Sequence, residues 1–449
     1  MTGADRAALA EEIVRRLAAA LRGAQLYAAG HPLVGRSIGA LAETLTLTLS
    51  SVPSVTIGIV GDDLVVADYP IPRAAETLGE LMRRLRQAGI ERIVIQRGVD
   101  ADEIERLVAS VASGETGKDG ALAKLAHVRV GRIEVEERIE GVGDIATFQS
   151  LYSEASDIAG VLWESAAADG KPDADAARNL VDSLAQAVAQ NRTALLALTA
   201  LKNYDNYTFT HMVNVSILTM GQARGLGIEG GLLREFGLAA LMHDIGKVKT
   251  PNEVLNKPGK LTDQEFEILK RHTVHGAEIL KSTPEIPPLA PVVAFEHHLR
   301  SDGTGYPHGV VRSQLNLGTS LCGIADVYDA MRSQRVYQQA HASDRILAVL
   351  QRNDGKQFDQ HLVRRFVQLV GIYPTGNLVK LDNGDIAVVV KPYAPDPYRP
   401  RVKVVIRASG QKLERPFDVN LWEAPAGHPQ TVRGPVDPAT VDIDPLSYL

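Results

Sequence analysis

The chain has 449 residues, 45% of them hydrophobic and 23% charged. That length predicts more than one domain, and the composition excludes a disordered or fibrous chain. A net charge of −6 argues against a general binder of nucleic-acid polymers. The lone cysteine, Cys322, excludes a disulfide framework and a thiolate metal site. In its apolar surroundings it reads as a small buried hydrophobe.

In chain order, residues 6–29 read as an amphipathic helix stopping near Gly30-His31-Pro32, and 35–50 as a second helix. Asp5, Arg6, Glu11, Glu12, Arg15 and Arg16 interrupt any signal-peptide core. No run reaches the roughly 18 uncharged apolar residues of a membrane span, so a cytoplasmic chain is expected. Residues 55–60 and 64–67 are β-rich around Gly61-Asp62-Asp63, a hairpin signal. A helix at 76–88, a strand at 90–96, a helix at about 101–113 with acidic residues in its first turn and a strand at 128–137 complete an α/β domain over 1–140. It carries no metal-ligand cluster and no Gly-rich phosphate loop, and its position suits regulation or partner binding.

Residues 141–199 form a helical linker, broken at Gly170-Lys171-Pro172, with one long helix expected over 174–201. An amphipathic linker must bury its apolar face, which is compatible with a homodimer. Residues 200–372 are mostly helical, with irregular stretches at 247–261 and 299–319. Beyond Gly371-Ile372-Tyr373-Pro374 the pattern turns to strands at 378–381, 386–390 and 402–406, with Asp382-Asn383-Gly384 as a turn. The Pro-rich tail from Ala424 is expected to be poorly ordered. The predicted fold class is therefore multidomain: a mainly α centre, an N-terminal α/β domain and a small C-terminal β domain over 373–449.

Seven of the twelve histidines fall between positions 211 and 308, the first sign of a metal site. The segment 231–242 is an apolar helix ending in His243-Asp244-Ile245-Gly246-Lys247, where Gly246 suits a helix C-terminus. Neighbours on a helix differ by about 100°, so His243 and Asp244 can meet different sides of one metal cluster. Thr262-Asp263-Gln264-Glu265 is a capping box for the next helix, which carries His272 beside His275. His297-His298 follow an apolar helical run, and Asp326 and Asp329 lie in another apolar helix, where a carboxylate must be paired or bound to metal. Imidazoles and carboxylates without thiolates suit manganese, iron or zinc. Their number exceeds one tetrahedral ion and suits two, with the Asp of the His-Asp pair between them. Such a pair activates water and stabilises the oxygens of an in-line phosphoryl displacement.

The strings HDIGKVKTPNEVLNKPGKLTDQEF, HTVHG, HHLRSDGTGYP and ADVYDAMRSQRVY, in that order, resemble the HD-GYP domain, a branch of the HD phosphohydrolase superfamily. The resemblance covers about 200–372 and implies a central HD-type helical bundle that hydrolyses cyclic di-GMP to pGpG and on to GMP. It implies two divalent ions, iron or manganese, held by His211, His243, Asp244, His272, His297, His298 and Asp326. Asp244 and Lys247 are the implied catalytic residues. Tyr306 in Gly305-Tyr306-Pro307 and Arg335, whose guanidinium can fork onto phosphate or guanine, are the implied substrate contacts. Protein partners would meet the N-terminal domain or the GYP loop. His275 and His308 match no ligand position, and Asp329 suits a hydrogen-bonding role. Tyr207 stands where relatives with a third metal have Glu, and Leu299, Ser320 and Gln338 replace charged residues common in the family. These departures leave two alternatives open: a nucleotide-binding signalling module with little turnover, and a phosphohydrolase of another nucleotide.

Overall fold

The structure, a computed structural model, describes residues 3–27, 31–60, 63–66, 69–71, 74–113, 122, 125–131, 145–199, 207–300, 302–310, 315–332, 346, 349–350, 357–423 and 431–449. It divides into two compact units, Met1–Glu136 with Gly225–Leu232, and Glu137–Arg224 with Leu233–Leu449.

In the first unit, helix α1 (Gly3–Leu26) buries Ala10, Ile13, Val14, Leu17 and Leu21, spaced three and four apart on one face. It packs on α2 (Pro32–Ser51) and α5 (Ala101–Ser113). His31 caps α2, its Nδ1 accepting from Leu33 N–H at 3.2 Å, and Pro32 takes the first helical position. Between them run β1 (Ser54–Val60), β2 (Asp63–Val66), β3 (Tyr69–Ile71), the short α3 (Ala74–Thr77), α4 (Gly79–Gln87) and β4 (Arg92–Gln96); β5 is Val128–Gly131. The sheet is antiparallel, in the order β3-β2-β1-β4-β5. Val55, Ile57 and Ile59 of β1, with Ile93 and Ile95 of β4, join the helices' apolar faces in one core. The pairing Val60↔Asp63 forms the hairpin that the sequence signal predicts, but with Asp63 in the strand rather than in the turn. Residues 132–137 of the strand expected over 128–137 lie outside the described residues. Glu103 is buried, accepting from His127 N–H (2.9 Å) and lying 2.8 Å from its Nδ1.

The second unit opens with α6 (Ile145–Asp169) and α7 (Ala174–Gln190), the latter capped by Asp173. The helix expected to run unbroken over 174–201 is two. Asn191 leaves helical geometry (φ −148°, ψ 83°), and α8 (Arg192–Leu198) starts afresh. Asparagine competes with the helix through its own amide, which periodicity does not register. There follow α9 (Tyr207–Gly225), α10 (Gly230–Leu241), a 3-10 turn (Ile245–Lys249), α11 (Asn252–Leu255), α12 (Asp263–Lys270), α13 (His272–Ser282), α14 (Leu289–Glu296), α15 (Leu317–Arg332) and α16 (Gln360–Val370). The capping box at α12 forms as predicted. Among the described residues no helix is long and apolar enough to cross a membrane.

The second unit also holds an antiparallel sheet: β6 (Leu378–Leu381), β7 (Ile386–Lys391), β8 (Arg401–Ile406), β9 (Lys412–Asn420) and β10 (Val432–Pro435), in the order β10-β6-β7-β8-β9. The Asp382-Asn383-Gly384 turn joins β6 to β7, with Gly384 at φ 92°, where glycine is favoured. The poorly ordered tail expected from Ala424 is corrected for its described part, 431–449. Val432 and Pro435 pair with Leu381 and Val379, and Ile443 and Leu446 are buried. The tail completes the sheet because its few apolar residues have an apolar face to cover; proline content alone concealed that.

Candidate metal centre

Five segments of the second unit meet at one point. Helix α9 carries His211, the turn after α10 carries His243 and Asp244, α13 begins at His272, α14 ends into His297-His298, and α15 carries Asp326. Two glycine contacts set this convergence. A Cβ on Gly237 of α10 would stand 2.5 Å from Met220 Sδ of α9, so glycine leaves the space that the Met220 side chain fills. A Cβ on Gly246 would fall 1.9 Å from the His272 carbonyl oxygen and 2.4 Å from Gly276 N. Gly246 therefore serves a backbone-to-backbone approach that presses the His-Asp turn onto α13. This corrects its reading as a helix-ending residue, since the helix ends before it, at Leu241.

The imidazoles are oriented from behind. His243 Nδ1 lies 2.7 Å from Ala240 O, His272 Nδ1 2.7 Å from Leu269 O, and His297 Nδ1 3.0 Å from Ala294 O. A carbonyl can only accept, so each Nδ1 carries the proton and each Nε2 presents a lone pair. His211 is set likewise by a carboxylate, with Nδ1 2.8 Å from Asp329 Oδ2. The Nε2 atoms converge on two carboxylates. His211 Nε2 is 3.2 Å from Asp326 Oδ1, and His272 Nε2 is 3.2 Å from Asp244 Oδ1. His243 Nε2 lies 3.4 Å from the other oxygen of Asp244, Oδ2. Three overlapping groups have ligand atoms within 4.8 Å of one another: His272/His297/His298, His211/His243/Asp326 and His243/Asp244/His297.

The donor set fits divalent cations on a direct test. His272 Nε2 and His297 Nε2 stand 3.3 Å apart, two lone pairs face to face if both Nδ1 atoms are protonated. Such an arrangement is repulsive without a cation between them. His243 Nε2 and Asp244 Oδ1 are buried and make no hydrogen bond, although partners lie at ion-pair distance; the directions are wrong for hydrogen bonding and suited to coordination.

The electrostatics agree for His272, His297 and His298 but not for His211. Burial holds His272 down to about 3 and His298 to about 4, and pushes His297 well below the usual imidazole range. Burial opposes ionisation of Asp244 and Asp326 too. Lys247 and His243 outweigh it for Asp244, and the His211 bond does so for Asp326, so both stay anionic. His211 is raised to about 9, because bonds to Asp326 and Asp329 outweigh its burial.

Around this centre, the Lys247 ammonium pairs with Asp244 Oδ2 and is partly exposed. Tyr306 N–H donates to His298 O at 3.2 Å, and the two rings lie 4.5 Å apart. A Cβ on Gly305 would meet His298 O at 2.4 Å, so glycine lets this loop close over the double histidine. Phe266, 43% exposed, meets Tyr306 edge-on at 6.2 Å, and Lys270 Nζ stands 4.8 Å over its ring. Burial pushes the Tyr306 phenol up, so it stays protonated.

His275 and exposed His308 stand outside all three donor groups. Leu299 is buried, and the Ser320 hydroxyl donates to Asn316 O. Arg335 and Gln338 lie outside the described residues. Tyr152 and Asn214, which join Asp329 behind His211, went unrecognised in the sequence. Asn214, three residues after His211 and so on the same helical face, was the available signal.

An HD domain family model matches residues 181–362, and a model for a KOW domain associated with HD domains matches 378–426. Cyclic di-GMP phosphodiesterase PA4108 of Pseudomonas aeruginosa is 36% identical over 330 residues, covering 73% of this chain and 76% of that protein. The chain belongs to the HD-GYP family. Two further relatives align over less. The cyclic di-GMP phosphodiesterase response regulator RpfG of Xanthomonas campestris is 35% identical over 41% of this chain and 50% of its own length. The 3′3′-cGAMP-specific phosphodiesterase 3 of Vibrio cholerae is 37% identical over 33% of this chain and 32% of its own. An HD-GYP protein carries an HD domain, which implies divalent-metal binding, and the His/Asp cluster supplies donors for it.

Proposed function

We propose that this HD-GYP protein is a metal-dependent phosphodiesterase that opens cyclic di-GMP to pGpG, and on to GMP, in bacterial second-messenger signalling. The observation that carries the reading is the placement of Asp244. Its Oδ1 faces His272 and His297 and its Oδ2 faces His243 and His211, so Asp244 would help to hold an ion with either pair. The proposed ligands are His211, His243, Asp244, His272, His297, His298 and Asp326, around two ions of iron or manganese. Such ions, when bound, supply Lewis acidity and an activated water for in-line displacement at phosphorus.

The chain's own groups have distinct roles in this reading. Asp326 and Asp244 keep net negative charge where cations must sit. Lys247, partly exposed beside Asp244, is free at its outer face to hold a phosphate oxygen and its developing charge. Tyr306, a neutral donor, borders the substrate, with Phe266 and Lys270 behind it. Arg335 is assigned to the nucleotide by resemblance alone. Residues 1–140 are proposed as the regulatory part, and a homodimer through the 141–199 helices and a cytoplasmic location complete the reading. The specificity of the Vibrio relative favours one second substrate, 3′3′-cGAMP.

The test is turnover of both cyclic dinucleotides by protein purified anaerobically with manganese or iron(II), beside His243→Ala and Asp244→Ala. Hydrolysis lost in both variants supports the assignment. Metal-replete protein with no turnover of either dinucleotide sinks it.

A further inference from the structure

We propose that Tyr152, Asn214 and Asp329 form a relay of positioning residues that holds His211 as an Nε2 donor and ties helix α6 to the metal centre. The proposal rests on the metal-site reading but assigns roles to residues outside its ligand set.

The chain of contacts is continuous and buried. Tyr152 is 4% exposed, Asn214 4% and Asp329 0%. The Tyr152 hydroxyl donates to Asn214 Oδ1 at 2.7 Å, and Asn214 Nδ2 donates to Asp329 Oδ1 at 2.9 Å. The second Asp329 oxygen accepts from His211 Nδ1 at 2.8 Å. The Arg332 guanidinium lies 3.3 Å from Asp329 Oδ1 and supplies its counter-charge.

Chemistry fixes every direction in this relay. A carboxylate accepts only, so the Asn214 amide must turn its NH₂ to Asp329 and its oxygen to Tyr152. That oxygen requires a donor, and the phenol is one. The Asp329 carboxylate in turn demands a proton on His211 Nδ1, which leaves Nε2 unprotonated toward Asp326 when a cation takes the centre. Replacing the phenol by a ring without OH leaves the Asn214 oxygen buried and unsatisfied. The amide can then rotate, and Asp329 loses the donor that fixes its plane.

The relay starts on α6, two turns from its first residue, Ile145, the helix that follows the N-terminal domain in sequence. A displacement of α6 that breaks the Tyr152 bond therefore reaches His211 through three hydrogen bonds.

The experiment uses the full-length chain, stripped of metal by chelation and titrated with Mn²⁺ by calorimetry, with melting temperatures of the metal-free forms. Tyr152→Phe is expected to weaken Mn²⁺ binding about 3- to 10-fold, the worth of one neutral hydrogen bond. Asp329→Asn is expected to weaken it about 10- to 100-fold. Tyr152→Phe should add less than about 2-fold on an Asp329→Asn or Asn214→Ala background, because the relay is already cut. The Asn214→Ala cycle keeps the test open if Asp329→Asn does not fold. Unchanged affinity in Tyr152→Phe overturns the proposal, even with a lowered melting temperature. So does a full multiplicative effect on the second background. Turnover is not read, so failure here is separable from failure of the phosphodiesterase assignment.

Discussion

His272 and His297 point their Nε2 atoms at one another across 3.3 Å while each Nδ1 is engaged by a main-chain carbonyl. Two lone pairs so placed store repulsion that a cation turns into attraction. Loading with Mn²⁺ should therefore raise the melting temperature, by the equivalent of about 2.7 kcal/mol at a hundredfold excess over Kd. His297→Ala should lose most of this increment and lose little stability when metal-free. Thermal scans of chelated and loaded protein check both; equal increments in the two proteins would refute the placement of the ion.

Gly246→Ala forces a Cβ into the backbone of α13. No flexible side chain can yield there, so a loss of roughly 1–3 kcal/mol or more is expected, with the His-Asp turn pushed off α13 and turnover reduced at least about 100-fold. Gly231→Ala, in α10 with nothing within 4 Å of the new methyl, should be neutral or gain up to about 1 kcal/mol. Chemical denaturation of the pair separates close approach from glycine loss in general.

Phe266 offers an exposed ring beside Tyr306, under the Lys270 ammonium. Phe266→Ala is expected to raise KM for cyclic di-GMP about 5- to 30-fold, the worth of a base stack. It should leave hydrolysis of bis(p-nitrophenyl) phosphate, which has no purine, within about 2-fold. Equal effects on both substrates would place the ring outside substrate recognition.

Lys247→Ala should separate chemistry from metal binding. Removing one charged contact to the developing oxyanion is expected to cost about 10²-fold in kcat, with bound metal unchanged by elemental analysis. Loss of metal in step with activity would make Lys247 a mere counter-ion of Asp244.

The pH dependence of α12 has a definite sign. The Glu265 carboxyl is held down to about 2 by Lys257 and by the Thr262 main-chain and hydroxyl donors of the capping box. A depressed folded value means stabilisation that is present above the ordinary range near 4.5 and lost as pH falls toward 2. The gap in melting temperature between wild type and Glu265→Gln should be widest above about pH 5 and close on acidification. A constant gap across that range would show that the charge contributes nothing.

Much of the centre was legible because its ligands come from short local strings. His243-Asp244, His297-His298 and the Asp326 helix each announce themselves within a few residues, and a capping box such as Thr262–Glu265 is written in four. What stayed hidden was non-local. Asn214 reads as one polar residue in an apolar helix, and Tyr152 as a helical aromatic; only the fold brings them to Asp329, 115 residues beyond Asn214. Gly246 suits a helix end by sequence alone, because its partner, the α13 backbone, is supplied by tertiary structure. The break at Asn191 and the strand at Val432–Pro435 were missed for a related reason. Periodicity records apolar faces, whereas these features depend on a side-chain amide and on a sheet edge awaiting a partner.

The carbonyls that receive the histidine Nδ1 protons share one origin. Ala240, Leu269 and Ala294 lie in the last turns of α10, α12 and α14, where a helix runs short of N–H partners and its dipole carries about half a negative charge. Three helix tails thus stand behind three of the imidazoles, so part of the anionic field that receives cations belongs to the peptide backbone itself. No side-chain substitution deletes that share. Variants lacking a single ligand should accordingly keep a weakened attraction for divalent ions.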